Sequence, residues 1–312
     1  LLDPSAHARF LVLIAVFTMA ERQVDRRLDD VVRDFADAPL IAARSLPAAA
    51  RRLATALRRR DAALGDALCL VLALAVSLSA LPALPMHSQA SWIVAPAAEG
   101  EGMRVTLAGL CAATVSNTLH WFLALQWLES LAIWRLLLRG VAQLDLRLSA
   151  THPDGYGGLA FVGLYPNVFA AHVFALRCVL GAAVWRMLST GDLDPVTYGT
   201  VMAGWLAIVL ALFLVPLAAF SAPLARFKRR ELEAAASQAT DHGHAAERAV
   251  LGENLAAPAD PAEPEDTVDS GKLYAAARKL ATLPFAREAL LPLCAGALVP
   301  LAISGASQWP VK

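Results

Sequence analysis

The sequence predicts an all-α protein: a polytopic membrane helix bundle with about five full transmembrane helices and a short N-terminal half-membrane or interfacial helix. Of its 312 residues, 57% are hydrophobic and 17% are charged, and the mean hydropathy is +0.52. A soluble domain carries more charge on its surface than this. Five apolar segments each hold the roughly 20 residues that cross about 30 Å of hydrocarbon as a helix. None shows the alternation with period two that is typical of a membrane β-strand.

The first predicted unit, residues 1–64, begins with a short apolar run. As a helix, residues 10–20 would be about 16 Å long, and Glu21, Arg22 and Asp25 follow them. We therefore expect this helix to stop at Glu21 and to enter the membrane only halfway or lie along it. Residues 25–60 mix arginines with apolar side chains, which is typical of amphipathic helices at anionic headgroups. Solvated helices packed on neighbouring protein would show the same pattern.

The remaining chain divides into a four-span core (65–222), a polar segment (223–283) and a last span (284–312). The predicted spans are 66–86, 105–138, 159–188, 197–220 and 285–305, of which the second is long enough to tilt or to project. The polar segment contains a charged helix over 224–238 and an amphipathic helix over 272–281. Between them, residues 256–269 are acidic and rich in proline, which predicts a disordered linker.

Charge distribution predicts the orientation. The loop 87–103 contains no Lys or Arg, whereas the stretch before the first full span contains ten arginines: Arg22, Arg26, Arg27, Arg33, Arg44, Arg51, Arg52, Arg58, Arg59 and Arg60. Positively charged loops are retained in the cytoplasm. The arginine-rich stretch is therefore predicted to be cytoplasmic, and five crossings place the C-terminus outside.

Polar residues interrupt the second span at Ser116, Asn117, His120, Gln126 and Glu129. At 100° per residue, Asn117 and His120 share one face of the helix, whereas Gln126 and Glu129 share a nearly opposite one. The helix should therefore contact protein or water on both sides, near the centre of a bundle or against another subunit. These groups could be interhelical hydrogen-bonding residues or could line a pathway.

The third span contains Asn167, His172 and Arg177, and Pro166 near its start predicts a helix N-terminus or a kink. An arginine at membrane depth costs at least about 2.5 kcal/mol unless it is paired or reaches the interface. A close pair with Glu129 is disfavoured because the two residues lie at different depths. Arg177 could instead extend outward, contact the polar groups of the second span, or face an aqueous anion pathway.

The turn between these spans carries the last candidate site residues, namely Asp145, Arg147, His152, Asp154, Gly157 and Gly158. A structural role explains them well. Proline and glycine end one helix, Asp154 and Gly155 turn the chain, and the next two glycines allow close packing. A polar cluster is also conceivable here, but its spacing specifies no reaction.

This turn (LDLRLSATHPDGYGGLAFVG) and the segment RFLVLIAVFTMAERQVDRR resemble a family of uncharacterised bacterial multi-pass membrane proteins with an "LDLRL…THPD…GGLGFLG" loop. The resemblance extends to REALLPL in the last span, so it covers most of the chain. It departs at Ala160, where the family pattern has glycine. Because no activity is established for that family, the resemblance implies the multi-pass architecture and a bacterial inner membrane, and no function.

No sequence pattern indicates an enzyme, a cofactor or a metal. HExxH, GxSxG and P-loop motifs are absent from the sequence, the four cysteines lie singly in apolar runs, and His242 and His244 lack further ligands nearby. The 27 basic and 27 acidic residues balance, which argues against nucleic-acid binding.

The pattern favours an oligomeric ion channel or transport protein, with an anion as one candidate ion. The alternative is a membrane scaffold or regulator that acts through its cytoplasmic surface. The expected partners are the bilayer, with its anionic headgroups at the arginine-rich face, and further copies of the chain.

Overall fold

The computed structural model describes residues 7–37, 40–84, 92–96, 102–189, 194–253, 270–285 and 287–306. Its α-helices are α1 (Ile14–Asp37), α2 (Leu46–Arg60), α3 (Ala63–Ser79), α4 (Leu107–Cys111), α5 (Asn117–Ala142), α6 (Ala170–Ser189), α7 (Pro195–Leu217), α8 (Ser221–Leu251), α9 (Ser270–Lys279) and α10 (Arg287–Ala306). Adjoining these are π-helical Ala8–Leu13 and Ala112–Ser116, and 3-10 segments Ala43–Ser45, Leu81–Ala83, Ala160–Phe169 and Ala218–Phe220. Strands β1 (Val94–Pro96) and β2 (Met103–Val105) pair antiparallel. The predicted linker 256–269 and most of the loop 87–103 lie outside the described residues.

The predicted helical fold is confirmed, and four helical stretches are long and apolar enough to cross a membrane. They are Ala63–Ala83, Leu107–Ala142, Ala160–Trp185 and Val196–Leu251. Helix α10 has 20 residues, about 30 Å at 1.5 Å per residue, but its apolar stretch Leu291–Pro300 is shorter. The fifth crossing and the external C-terminus therefore stay predictions.

The prediction that the first helix ends at Glu21 is wrong. Helix α1 continues to Asp37, and Leu13, Phe17, Ala20 and Val24 are buried along it. Their spacing of four, three and four places them on one face, which contacts α6 and the 3-10 segment before it. Packing of this face against α6 and the 3-10 segment therefore stabilises the helix beyond the charged residues.

Helix α5 lies at the centre of the structure. It contacts α1, α2, α3 and α7, and one face buries Trp127, Leu131, Trp134 and Leu138. Helix α2 packs along the C-terminal half of α5, antiparallel to it, because its start is joined to residue 145 and its end lies beside residues 129–133. Helix α2 thus packs on protein, and its contact with anionic headgroups stays a prediction.

Proline explains the change of helix type in the third span. Pro166 lies in the 3-10 segment Ala160–Phe169, and the α-helix begins only afterwards, at Ala170. A proline cannot donate the backbone hydrogen bond that an α-helix needs at that position. The segment is held by Tyr165, whose hydroxyl donates to the Phe213 carbonyl on α7 at 2.9 Å. Pro166 thus marks the helix boundary that the sequence predicts.

Helix α10 approaches α6 closely at one glycine. A Cβ atom built on Gly296 would lie 2.9 Å from the Ala170 carbonyl oxygen and 3.5 Å from the Phe174 Cβ. Small residues permit such contacts between membrane helices, where dispersion forces hold the helices together. Gly296 therefore sets the distance between these two helices.

We expect Gly296→Ala to lower the free energy of unfolding by about 1–3 kcal/mol, the usual cost of overpacking. The backbone carbonyl that it would meet cannot rotate away as a side chain could. Gly204→Ala in α7 is the matched control, because a Cβ there meets nothing within 4 Å. Thermal unfolding in detergent would measure both, and equal midpoints for the two variants would contradict the proposed close contact.

Candidate functional site

A polar cavity of about 310 Å³ lies between α1, α3, α5 and α6. The carboxylates of Asp61, Asp66 and Glu129 line it, together with the polar side chains of Arg60, Gln126 and His172. We call it the acidic cavity. Asp61 lies in the α2–α3 turn and Asp66 in the first turn of α3. Helix α5, which carries Glu129, continues for some 13 residues, about 20 Å, beyond it. The cavity is therefore at the level where α3 begins, on the side that the arginines predict to be cytoplasmic.

Glu129 contacts the start of α3. Its Oε2 lies 3.4 Å from the Cys69 thiol, which donates to it, and a Cβ built on Gly65 would overlap its Oε1. Gly65 is in the first turn of α3, where unpaired backbone N–H groups and the helix dipole favour negative charge. The absence of a side chain at Gly65 thus lets the carboxylate approach the N-terminus of α3.

The other polar groups of the cavity come from three helices. Gln126 donates from Nε2 to Asp66 Oδ1 at 2.8 Å, which joins α5 to α3. His172 is 4% exposed and lies between two aromatic rings, stacked on Trp127 with centroids 6.2 Å apart and edge-on to Phe17 at 4.6 Å. Its Nδ1 is buried and has no hydrogen-bond partner among the described residues. The packing therefore fixes an imidazole at the cavity wall.

The remaining polar residues of the second span lie elsewhere. Ser116 ends the π-helical segment Ala112–Ser116, Asn117 donates from Nδ2 to Ser77 Oγ at 3.3 Å, and His120 is buried edge-on to Trp121. Asn117 is 12 residues from Glu129, about 18 Å along the helix axis. The structure thus separates these residues from the acidic cavity, on the other half of α5.

Arg177 is fully buried, and its guanidinium carbon lies 5.2 Å from the centroid of the Trp205 ring on α7. Among the described residues, none of its three guanidinium nitrogens has a hydrogen-bond partner, and the same holds for Asn167 Oδ1. The arrangement is a cation–π contact. Arg177 lines none of the described cavities, so its main observed role is packing between α6 and α7.

We expect Arg177→Met to raise the free energy of unfolding by about 1 kcal/mol. A desolvated cation–π contact stabilises by about 2 kcal/mol, whereas burying the charge costs about 2.5–3.5 kcal/mol. Methionine fills similar space without a charge. Thermal midpoints of the two purified proteins would measure the change. A midpoint several degrees lower in the variant would instead show that the guanidinium has a partner outside the described residues, such as a second protomer.

Asp154 organises the turn before the third span. Its carboxylate accepts the backbone N–H groups of Tyr156 at 2.8 Å, Gly158 at 3.1 Å and Ala160 at 3.0 Å, and the His152 imidazole lies 2.9 Å away. Partial burial raises the pKa of Asp154, but these hydrogen bonds outweigh it and hold that pKa below its usual value. The carboxylate therefore caps the 3-10 segment.

Glycines make this turn possible. Gly155, Gly157 and Gly158 have φ of +70°, +69° and +99°, the region that other residues rarely adopt. A Cβ on Gly158 would lie 2.7 Å from the Leu40 side chain. These conformations and contacts agree with the turn and close packing that the sequence predicts.

Asp145 and Arg147 attach the turn to the segment between α1 and α2. Asp145 accepts from Arg44 Nε at 2.8 Å and from Ser45 Oγ at 3.1 Å, and these bonds lower the pKa of Asp145. The Arg147 N–H donates to the Leu40 carbonyl at 2.7 Å. Asp145 and Arg147 thus bond to the segment between α1 and α2, whereas His152 pairs with Asp154.

The turn also joins the polar segment 223–283. Tyr156 donates from its hydroxyl to the Phe285 carbonyl at 2.8 Å, and the Ala281 N–H donates to the Gly155 carbonyl at 2.9 Å. Lys228 on α8 donates to the Leu280 carbonyl at 2.7 Å. Four stretches that are distant in sequence thus meet on the predicted cytoplasmic side. They are the segment between α1 and α2, the turn before the third span, helix α8 and residues 280–285.

For each of these contacts, the sequence indicates at most one of the two partners. Asp66 was assigned only as the start of a span, and its position in the first turn of α3, opposite Gln126, is a tertiary fact. Nothing in the sequence beyond small or apolar character marks the contacts made by Gly65, Trp127 and Trp205. His242 and His244 lie within α8 rather than beside a linker. Within the described residues, no three His, Cys, Asp or Glu residues converge as metal ligands.

No protein-family model, curated protein or solved structure matches this chain. The resemblance to a bacterial multi-pass family therefore stays a prediction.

Proposed function

We propose that this chain is a membrane transport protein that takes up protons at the acidic cavity. The observation that carries the proposal is the position of Asp66, Glu129 and the buried His172 around one cavity where four helices meet. The cavity lies where α3 enters the predicted hydrocarbon region, and chains of Asp, Glu and His residues serve as proton relays in pumps and transporters. Each of these three groups binds or releases a single proton.

The lining favours a proton or another cation over an anion. Three carboxylates and one guanidinium group, that of Arg60, line the cavity, and the excess of negative charge repels an anion that enters it. The earlier expectation of anion conduction depends on Arg177, which is outside this cavity. We therefore propose cation-type rather than anion-type transport.

The α3–α5 interface extends from the cavity towards the other end of α3. Gly65, Cys69, Ala73 and Ser77 follow one another at every fourth position of α3, and the last three are buried. Glu129 contacts the beginning of this stripe and Asn117 contacts Ser77. Small residues bring the helices close together, with polar groups at both ends of the interface.

Liposomes test this proposal. Purified protein is reconstituted, a pH gradient is imposed across the membrane, and an internal pH-sensitive dye records its decay, with valinomycin and potassium to balance charge. We expect faster decay than in empty liposomes. Chloride flux without proton flux would overturn the cation assignment, and the absence of any flux would overturn the transport proposal.

The second candidate function, a membrane scaffold or regulator, is favoured by the arginine-rich exposed face of α2. Deleting residues 25–60 would not test it cleanly, because Leu40 and Ser45 join the turn at Asp145 and Arg147. Replacing Arg51, Arg58 and Arg59, which are exposed, leaves those contacts intact. A co-purifying protein that survives this replacement would exclude α2 as the docking surface.

A further inference from the structure

A second cavity, of about 450 Å³, lies between α2 and α5. We call it the basic cavity, because its charged lining consists of Arg51, Arg52, Arg59 and Arg139. One wall is apolar, formed by residues 133, 136 and 137 of α5. No carboxylate belongs to this lining, and helix α2 carries five arginines without an acidic residue. The cavity therefore concentrates positive charge beside an apolar surface.

The arginines of this cavity are not neutralised within the described part of the chain. None of the four forms a salt bridge with a described carboxylate, and Arg52 Nη1 is buried without a described hydrogen-bond partner. The stem of Arg52 is held against Gly140, where a Cβ would lie 3.0 Å from its Cδ. This guanidinium N–H group is therefore available to donate to an anionic oxygen in the cavity.

A smaller cavity of about 250 Å³ adjoins the basic cavity on the α7 side. It is lined by Arg135, Arg139 and Gln143, with Val215 and Pro216 on α7. Arg139 and Gln143 belong to both linings. Two anionic groups on one molecule could therefore occupy neighbouring positions with Arg139 between them.

The apolar end of the basic cavity, at Ile133, lies at the level expected for lipid headgroups, and the smaller cavity contacts Val215 and Pro216 at the end of the apolar helix α7. Helix α3 begins beside Glu129, and Ile133 is four residues, about 6 Å, further along α5. The headgroup region extends roughly 5–8 Å beyond the hydrocarbon on each side. Leu136 is 53% exposed beside the arginines, and an acyl chain would cover it. A soluble phosphate or an acidic peptide would leave this leucine in water.

We propose that the two adjoining cavities bind the phosphate groups of an anionic phospholipid, and that a lipid with two phosphates fits best. Guanidinium groups bind phosphate oxygens in bidentate fashion, and basic pockets beside membrane helices recognise such headgroups. A zwitterionic lipid is disfavoured because the cavity supplies no carboxylate for its ammonium group. Although Ile133 lines both the basic and the acidic cavity, the proposal does not depend on proton transport.

Native mass spectrometry of the purified full chain in a neutral detergent tests the site. The probes are cardiolipin, phosphatidylglycerol, phosphatidylcholine and, as a soluble phosphate, glycerol phosphate. We expect binding to weaken in the order cardiolipin, phosphatidylglycerol, phosphatidylcholine, and to fall at least tenfold for cardiolipin in Arg52→Ala/Arg139→Ala. The matched control is Arg229→Ala/Arg230→Ala on α8, which should bind as the wild type does.

Three outcomes would overturn the proposal. They are equal binding of cardiolipin and phosphatidylcholine, unchanged binding in the Arg52/Arg139 variant, and displacement of cardiolipin by equimolar glycerol phosphate, which would show a free-phosphate site. If the double variant fails to fold, the wild type alone decides the question. Its affinity for cardiolipin should fall at least tenfold between low and high salt, and a salt-independent affinity would exclude the arginine–phosphate contacts.

Discussion

Glu129→Gln is expected to reduce proton flux to the level of empty liposomes, a loss of at least tenfold. The amide keeps the size and the hydrogen-bonding capacity of the carboxylate but cannot take up a proton. Its oxygen can still accept from the Cys69 thiol, so the fold around Gly65 should persist. The decay of an imposed pH gradient would measure the flux.

Controls separate the lost proton site from general damage. Glu233→Gln removes a carboxylate on exposed α8, where Glu233 lies 3.8 Å from Arg229, and should leave flux unchanged. Gly65→Ala keeps Glu129 but displaces its carboxylate from the start of α3, and an intermediate flux is expected. Wild-type flux in Glu129→Gln, with an unchanged thermal midpoint, would exclude Glu129 as a proton-binding group.

Asp154→Ala is expected to lower the free energy of unfolding by at least about 2 kcal/mol, because hydrogen bonds to a charged group stabilise by about 1.5–3 kcal/mol each. The variant leaves the N–H groups of Tyr156, Gly158 and Ala160 without their acceptor. The thermal midpoint should fall by roughly 4–8 °C. Asp30→Ala, on the exposed face of α1, is the control and should change it by less than about 1 °C.

The effect of Asp154 depends on pH in a defined direction. Because its pKa in the folded protein lies below the unfolded value of about 3.9, its stabilisation is fully present at neutral pH. It is lost as the pH falls through the folded pKa. The midpoints of wild type and Asp154→Ala should therefore approach each other as the pH falls, and a difference that does not change with pH would contradict a charge-dependent cap.

Local patterns predicted the elements of this fold because they depend on residues close in sequence. The four helices that are long and apolar enough to cross a membrane follow from apolar length. Pro166, which has no N–H, predicts the start of α6. The shared face of Gln126 and Glu129 follows from helix periodicity, and both line one cavity. The charged residues after Ala20 predict an early end of the first helix. The helix continues because its buried face continues beyond them.

The sequence by itself determined that this protein is helical and apolar enough to lie in a membrane, and which polar residues would be costly there. Only the tertiary structure decided what those residues contact. Gln126 meets Asp66 from 60 residues away, Arg177 stacks on Trp205, and Arg139 faces the arginines of α2. Such pairs depend on how helices cross and rotate about their axes, which is set by packing over the whole bundle rather than by the spacing of residues along one helix.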